Sequence, residues 1–575
     1  MSFRRKAKYL LSLVTFIMLT SCINDRLDAC PDDNKKDIVA YLELTVTTSG
    51  STGTRANPTG GEEGDGYEHG RDNENTIHDL TIFLYQDNDK GLDGEYTVRW
   101  RKYIDPATVE IVDDAPEYIY DRIYNLRIPL DKADFEVFQK FSENLRCVVI
   151  ANAANLPNIE INSKSSIKDL CDYLAYGQAW RGETVADADW FVMSPAFNGA
   201  KCNQNSSRYY DGMIRSATTD DGIVYSGETT LERVAARIDL QFSDNPETPE
   251  KGLYEKDSKN LKYKVKDVNH TLSITSVVPV NLMQKNSYLI KHLTENTNID
   301  NVLIAADEIT DNSKPVNYVL TPYFKDKENV GESYLTDWYG ESRAGFLRNQ
   351  TDNLFWSKYG LESFGTPIDI PDDSNGNKTD DKSLIITYAN ENTHPEELQV
   401  TKYEDDGTTV ATRPSDYLTG LLFRAQYHPE KVYTSGVIGD DAPSEKYTDG
   451  NNFWLFRTVG ANNTIAVEEK YNIYFASENA LNEYVATLPA GGRYETVYYP
   501  GGICYYNVWI KHANIDDSDE NFPMKYGIVR NNIYRISLNF NGIGQPTPEI
   551  TEPRNVTSRI YVIKWNFRPQ KPIIM

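Results

Sequence analysis

The stretch Ile38-Val39-Ala40-Tyr41-Leu42-Glu43-Leu44-Thr45-Val46 decides the fold class. Ile38, Ala40, Leu42, Leu44 and Val46 occupy alternate positions, with Tyr41, Glu43 and Thr45 between them. Side chains alternate across a strand with period two, so the spacing predicts a half-buried β-strand and not a helix. Outward from it, strand-like segments recur at 77–85, 145–151, 190–193, 231–240, 271–280, 287–290, 318–320, 384–388, 453–456 and 527–540. Only three short helices are expected. One runs from Asp131 with Phe135, Phe138 and Leu145 roughly on one face. A second is capped by Ser166 with Ile167, Leu170, Cys171 and Leu174 on its apolar face. A third is capped by Ser477 with Ala480, Leu481, Tyr484, Val485 and Leu488.

Composition narrows the function. At 575 residues the chain is too long for one ordinary core. Its formal charge of −26 argues against nucleic acid, whose phosphates call for surplus Lys and Arg. The 39 Tyr, against 20 Phe and 8 Trp, favour strands. No HExxH, GxSxG, P-loop or dinucleotide-binding glycine pattern occurs, and His394-Pro395-Glu396-Glu397 cannot hold a metal on a helix because of its proline. No enzyme activity, cofactor or metal site is expected. Cys30, Cys147, Cys171, Cys202 and Cys504 have no metal-ligand spacing, and Cys147 and Cys171 read as buried thiols.

The N-terminus reads as an address. Arg4, Arg5, Lys6 and Lys8 precede an apolar run at 9–19, too short for the ~20 residues that span a bilayer. It ends in Leu19-Thr20-Ser21-Cys22, which resembles a lipobox and makes Cys22 the expected lipidation site. Attachment to a membrane would then be through lipid.

A polar, Pro-containing passage at 243–259 predicts a domain boundary, and 371–382 an exposed loop. At the far end Tyr561, Ile563, Trp565 and Phe567 alternate, with Lys564, Asn566 and Arg568 opposite them. That is a second amphipathic strand, confined by Pro569 and Pro572 to an edge or an extended arm.

Five pieces together resemble the fimbrillins, subunits of lipoprotein-derived (type V) pili. They are the lipobox at Cys22; Thr54-Arg55-Ala56 after the first strand; Cys147-Val148-Val149-Ile150-Ala151-Asn152-Ala153; Leu231-Glu232-Arg233-Val234-Ala235-Ala236-Arg237-Ile238; and the pair Cys504–His512 with Tyr526–Tyr534. The last pair looks like the C-terminal domain of a fimbrial shaft subunit, whereas residues 259–488 match only in general strand character. The resemblance implies a mainly β protein of two transthyretin-like β-sandwich domains with a few short helices. Residues 1–21 would be a lipoprotein signal peptide and 22–55 a propeptide. Residues 56–245 and 246–550 would be the two domains, the second with insertions, and 551–575 a donor arm. It further implies an outer-membrane lipoprotein precursor cut between Arg55 and Ala56 by a trypsin-like, Arg-specific protease. Loss of Ile38, Ala40, Leu42, Leu44 and Val46 would open a groove. Tyr561, Ile563, Trp565 and Phe567 of another subunit would fill it. The implied partners are other copies, anchor and tip proteins, and a receptor on a host or bacterial surface. Two alternatives accompany this reading: an anchor or tip subunit of the same fimbrial system, and a SusD-like glycan-binding surface lipoprotein, a class built mainly from helical repeats.

Overall fold

The structure is a computed structural model that describes residues 38–48, 67–86, 97–105, 110–111, 122–141, 145–152, 174–175, 179–196, 212–219, 222–243, 245, 247–248, 251–255, 259–280, 282, 287–293, 319–320, 353–370, 381–392, 400–404, 410–414, 418–459, 469–512, 526–548 and 555–566. Strands dominate these residues. In chain order the principal ones begin with β1 (Ala40–Thr48), β2 (Tyr67–His69), β3 (Leu80–Gln86), β4 (Val98–Ile104) and β5 (Glu110–Ile111). Next come β6 (Arg122–Leu130), β7 (Leu145–Ala151), β8 (Met193–Pro195), β9 (Gly222–Arg233) and β10 (Ala235–Ser243). They continue with β11 (Leu253–Glu255), β12 (Asn260–Lys264), β13 (Thr271–Val280), β14 (Asp381–Asn390) and β15 (Gly420–His428). The last are β16 (Phe453–Thr458), β17 (Tyr494–Tyr499), β18 (Ile503–Trp509), β19 (Asn532–Phe540) and β20 (Val556–Asn566).

Two large sheets carry the molecule. The first runs β4-β3-β7-β8-β9-β1-β6-β5, and the second β2-β20-β19-β10-β11-β12-β13-β15-β18, with β14 paired to β10. Leu80, Ile82 and Leu84 of β3, Leu126 and Ile128 of β6 and Cys147 and Val149 of β7 fill the first core. The second sheet wraps so that β10, β14, β19 and β20 share a core with β12, β13, β15 and β18. The result is a mainly β protein of β-sandwich character.

The chain crosses between sheets in a single residue. β9 ends at Arg233, β10 starts at Ala235, and buried Val234 donates its N–H to Val192 O at 2.9 Å. The crossing at Val234 falls within residues 56–245, the expected first domain. Within the polar run at 243–259, Asn245 N–H donates to Ser243 Oγ at 3.1 Å. β2 likewise belongs to the second sheet, although it falls within the expected first domain.

Helices are short: α1 (Asp72–Asn75), α2 (Lys132–Lys140) and α3 (Glu478–Ala486). Asp131 caps α2 by accepting from Asp134 N–H at 2.9 Å, and Phe138 anchors it. Ser477 Oγ caps α3 by accepting from Ala480 N–H, and Ala480 and Leu481 are buried against Phe456 and Phe475. These caps supply partners for amides that the first helical turn leaves orphaned. The second expected helix lies outside the described residues apart from Leu174, which is in a two-residue strand. Cys147 and Cys504 are buried free thiols. Among the described residues no helix is long and apolar enough to cross a membrane.

Candidate functional site

β1 is central, not peripheral. It runs antiparallel to β6, with Ala40 opposite Leu130 and Leu44 opposite Leu126, and parallel to β9, with Ala40 opposite Ile223 and Val46 opposite Thr229. Ala40, Leu42, Leu44 and Val46 are buried in the first core, as their period-two spacing implies. Ile38 lies before the strand and is 53% exposed, so the apolar face begins one position later than the sequence pattern. On the outer face Arg127 stacks over Tyr41 at 4.3 Å and reaches Glu43 at 3.7 Å, while Thr45 Oγ1 donates to Asn125 Oδ1 at 3.0 Å. Burying Leu42, Leu44 and Val46 contributes roughly 1.5–3 kcal/mol each. Removing β1 would strip partners from both β6 and β9, leaving two unsatisfied edges over an apolar floor.

β20 is housed in the same chain. It pairs antiparallel with β19 from Val556 opposite Phe540 to Lys564 opposite Asn532, and its end lies parallel to β2. The expectation of a strand with one buried face is revised here. Val556, Ile560 and Val562 enter the second core, while Ile563 and Trp565 enter the first. Both faces are covered because β20 lies where the two cores meet.

Around Trp565 the two sheets are joined by buried charge. Glu74 of α1 accepts from Arg71 N–H at 2.8 Å, Arg71 Nε at 3.0 Å, Arg237 Nη1 at 3.2 Å and Trp565 Nε1 at 3.2 Å. Tyr388 of β14 donates its hydroxyl to the same carboxylate. Arg237 of β10 forks onto Asp239 at 3.0 and 2.9 Å and also binds Glu68 of β2, which Arg535 of β19 grips from its other oxygen. At the end of β9, Arg233 donates to Glu74 O at 2.9 Å and to Trp565 O at 2.8 Å, and lies 4.3 Å over the Trp565 ring. Gly70 is required here, since a Cβ would come within 2.7 Å of Arg233 Nη2 and 2.9 Å of Trp565 Nε1.

Electrostatics keep the joint ionised. Burial pushes the Glu74 carboxyl up, but Arg237 and Arg71 outweigh it and hold it at about 2. Burial likewise pulls Arg237 down, yet Asp239, Glu74 and Glu68 raise it well above its ordinary value. Arg233, with fewer carboxylates, is lowered by burial to about 9. A second buried set lies nearby: Lys291 with Glu232 at 2.9 Å, and Arg530 with Glu391 at 2.6 Å and with Leu289 O at 2.8 Å.

Of the residues singled out in the sequence, Cys22, Arg55, Ala56 and Phe567 lie outside the described residues. The fold brings Ala40, Leu42, Leu44 and Val46 together with Trp565 only through the shared first core. Sequence reading missed Glu68, Glu74, Arg237 and Arg535 as a unit. Arg237 and Asp239 alternate with Ile238 and Leu240 in a strand that continues Gln241, Phe242, Ser243, the pattern of a half-exposed strand, so the sequence carries no sign that these charges are buried.

The comparisons bear on this C-terminal region. Residues 497–566 match the family model described as major fimbrial subunit protein type IV, fimbrillin, C-terminal. That region resembles a fimbrillin C-terminal domain. The fimbrillin match starts within β17, takes in β18 and β19, and ends at Asn566, the last residue of β20. β20 thus lies within the matched region. No curated protein matches the chain. Among solved structures, the chain is similar to a fimbrilin (FimA) from Porphyromonas gingivalis W83, with 13% identity over 93% of this chain and 99% of that one, at a TM-score of 0.33. It is similar to a cell adhesion protein from Bacteroides eggerthii DSM 20697, with 10% identity, 94% and 100% coverage and a TM-score of 0.33. The fimbrial anchor protein Mfa2 from P. gingivalis matches over 44% of this chain and 68% of its own, with 9% identity and a TM-score of 0.19. Likenesses at such TM-scores carry no argument, and the assignment rests on the fimbrillin match.

Proposed function

We propose that the chain is a fimbrial shaft subunit, made as a precursor lipidated at Cys22, cut between Arg55 and Ala56, and polymerised by strand exchange at the cell surface. The observation that carries this reading is the placement of β1. It is a central strand whose one covalent link to the following fold is the segment 49–66, which contains Arg55. The next strand, β2, belongs to the other sheet and is fastened there by Glu68. A cut at Arg55 therefore separates β1 from everything except its ladder and floor. A strand from a second copy then adds to β6 and β9, with ladder hydrogen bonds for affinity and the floor for register.

The donor belongs to the C-terminal arm. Tyr561, Ile563 and Trp565 carry it only if β20 leaves its sheet, which breaks the pairing with β19 and the Arg233 clamp. The burial of Trp565 favours a donor led by Phe567, with β20 as its root. The predominance of strands weighs against the SusD-like alternative.

N-terminal sequencing of protein from the cell surface tests the cut. A start at Ala56 supports the reading; a lipidated start at Cys22 makes the chain an anchor, and intact fibres from Arg55→Ala refute the activation step. Two variants locate the donor. Deleting 567–575 stops fibre growth if the donor lies beyond Asn566. A disulfide lock from Ile536→Cys with Ile560→Cys, opposite one another in the β19–β20 register, stops it only if β20 itself is donated.

A further inference from the structure

On β13, Leu272 and Ile274 are buried in the second core, so Ser273 between them emerges on the other face of the sheet. Ser273 stands directly opposite Lys262 of β12 and Gln426 of β15. Opposed residues of antiparallel strands share a face, so three strands bring a hydroxyl, an ammonium and an amide side by side. His428, the last residue of β15, is the diagonal neighbour on that face, and its Nε2 lies 3.2 Å from Ser273 Oγ.

The end of β15 is met from elsewhere in the chain. Between β15 and its neighbour β18 lies an insert, residues 429–502, with a sheet of its own. The insert returns Asp449 to His428, with Asp449 Oδ1 2.7 Å from His428 Nδ1. Asp449 is set in a turn: Asn451 N–H donates to Thr448 O at 3.1 Å, and the Tyr447 hydroxyl to Asn451 O at 2.6 Å. Gly450, at φ +84°, takes the left-handed position that such a turn favours at its third residue. A carboxylate only accepts, so His428 Nδ1 carries the proton shared with Asp449 and Nε2 keeps the lone pair that faces Ser273. Burial pulls the His428 imidazole below its ordinary value; Asp449 and Glu255 oppose that, and Lys262 adds to it. At neutral pH the ring is therefore uncharged and able to take a proton.

We propose that Ser273, His428 and Asp449 form a nucleophilic site that takes the acyl group of a small carboxylic ester. Nucleophile, base and the carboxylate that orients the base stand in the order this chemistry requires, on a sheet face and a loop that no sequence motif marks. Ser273 Oγ bonds to the ester carbonyl carbon while its proton passes to His428 Nε2, and Asp449 stabilises the imidazolium so formed. The bond from that carbon to the alcohol oxygen breaks, and His428 returns the proton to the departing oxygen, leaving an acyl group on Ser273. Water enters by the same proton route and releases the acid. Charge on the carbonyl oxygen develops beside Lys262, whose Nζ is held 3.4 Å from Glu255 Oε1. Ser273 is 7% exposed and the His428 side chain 15%, an opening that suits an acetyl-sized group and not a long acyl chain.

The test uses the full chain carrying Arg55→Ala, so its outcome is independent of cleavage and strand exchange. The protein is treated with a fluorophosphonate probe and, separately, with 4-nitrophenyl acetate and 4-nitrophenyl octanoate, and peptide mass spectrometry locates the modified residue. One phosphonyl or acetyl group on Ser273 is expected, with 4-nitrophenol released faster from the acetate than from the octanoate. Ser273→Ala should abolish both, His428→Gln should slow them about 100-fold, and Asp449→Asn at least about tenfold. Asp449 is 73% exposed, so Asp449→Asn decides if His428→Gln fails to fold. Absence of modification at Ser273, modification at an unchanged rate in His428→Gln and Asp449→Asn, or a preference for the octanoate overturns the proposal.

Discussion

Glu74 belongs to a helix of four residues, yet it holds more of the molecule together than any residue of the longer helices. Its carboxylate meets Arg71, Arg237, Tyr388 and Trp565 at zero exposure. Glu74→Gln leaves Arg237 short of a buried counter-charge, and is expected to cost about 3–5 kcal/mol in urea denaturation at neutral pH. The acid limb follows from the same group. Its folded value of about 2 lies below the ordinary 4.5, so its stabilisation is full above pH ~4.5 and is lost as pH falls towards 2. His512 and His270 begin the decline earlier. Burial, with Lys291 also acting on His512, lowers them to about 3 and about 4 from 6.5, so the unfolded chain takes up their protons first. Stability present above pH 6.5 is expected to fall progressively below it, and His512→Gln should flatten that upper part of the curve. Melting temperatures across pH 3–8 check both. None of this joint could be read from sequence, because Arg237 lies 163 and 169 positions along the chain from Glu74 and Glu68.

At the scale of elements, β1 was legible because one face is apolar and the other polar, so period two survives in the sequence. β20 was only half legible. Ile560 and Val562 alternate with Tyr561, Ile563 and Trp565, and a strand buried on both faces shows no polar stripe to orient it. The two capped helices, α2 and α3, were legible from Asp131 and Ser477, since a cap is a local event. The slot left by β1 gives a direct test of strand addition. A chain beginning at Ala56 should take up a synthetic peptide of residues 38–48 and melt several degrees higher with it. A peptide with the apolar residues moved to the intervening positions should not, because a one-residue slip turns every apolar group outward. Within the intact chain, Leu44→Ala is expected to cost about 2–5 kcal/mol by the same measurement.

For the whole molecule, the joint is expected to make the two sheets unfold as one. Ile533, Ile563 and Trp565 of the second sheet are buried in the first core with Val529, and the arginines close the seam. Calorimetry of the uncleaved chain should show a single principal transition. Arg237→Ala, which leaves Asp239, Glu74 and Glu68 without their shared cation, should lower it and split it into two. The crossing at Val234 escaped sequence reading for a related reason: a linker of one buried residue has no composition of its own. The fimbrillin family match covers only one end of the fold, so the first sheet had to be argued from its strands.

A fibre built this way would be pulled, and the fold says where the pull travels. A strand that took up the direction of β1 would lie parallel to β9 along nine residues, so traction on it would load that ladder in shear rather than peel it open. β9 runs on to Arg233, whose guanidinium holds the Trp565 carbonyl at the root of the C-terminal arm. In such a fibre tension would pass from one subunit to the next through β9, one arginine and one tryptophan.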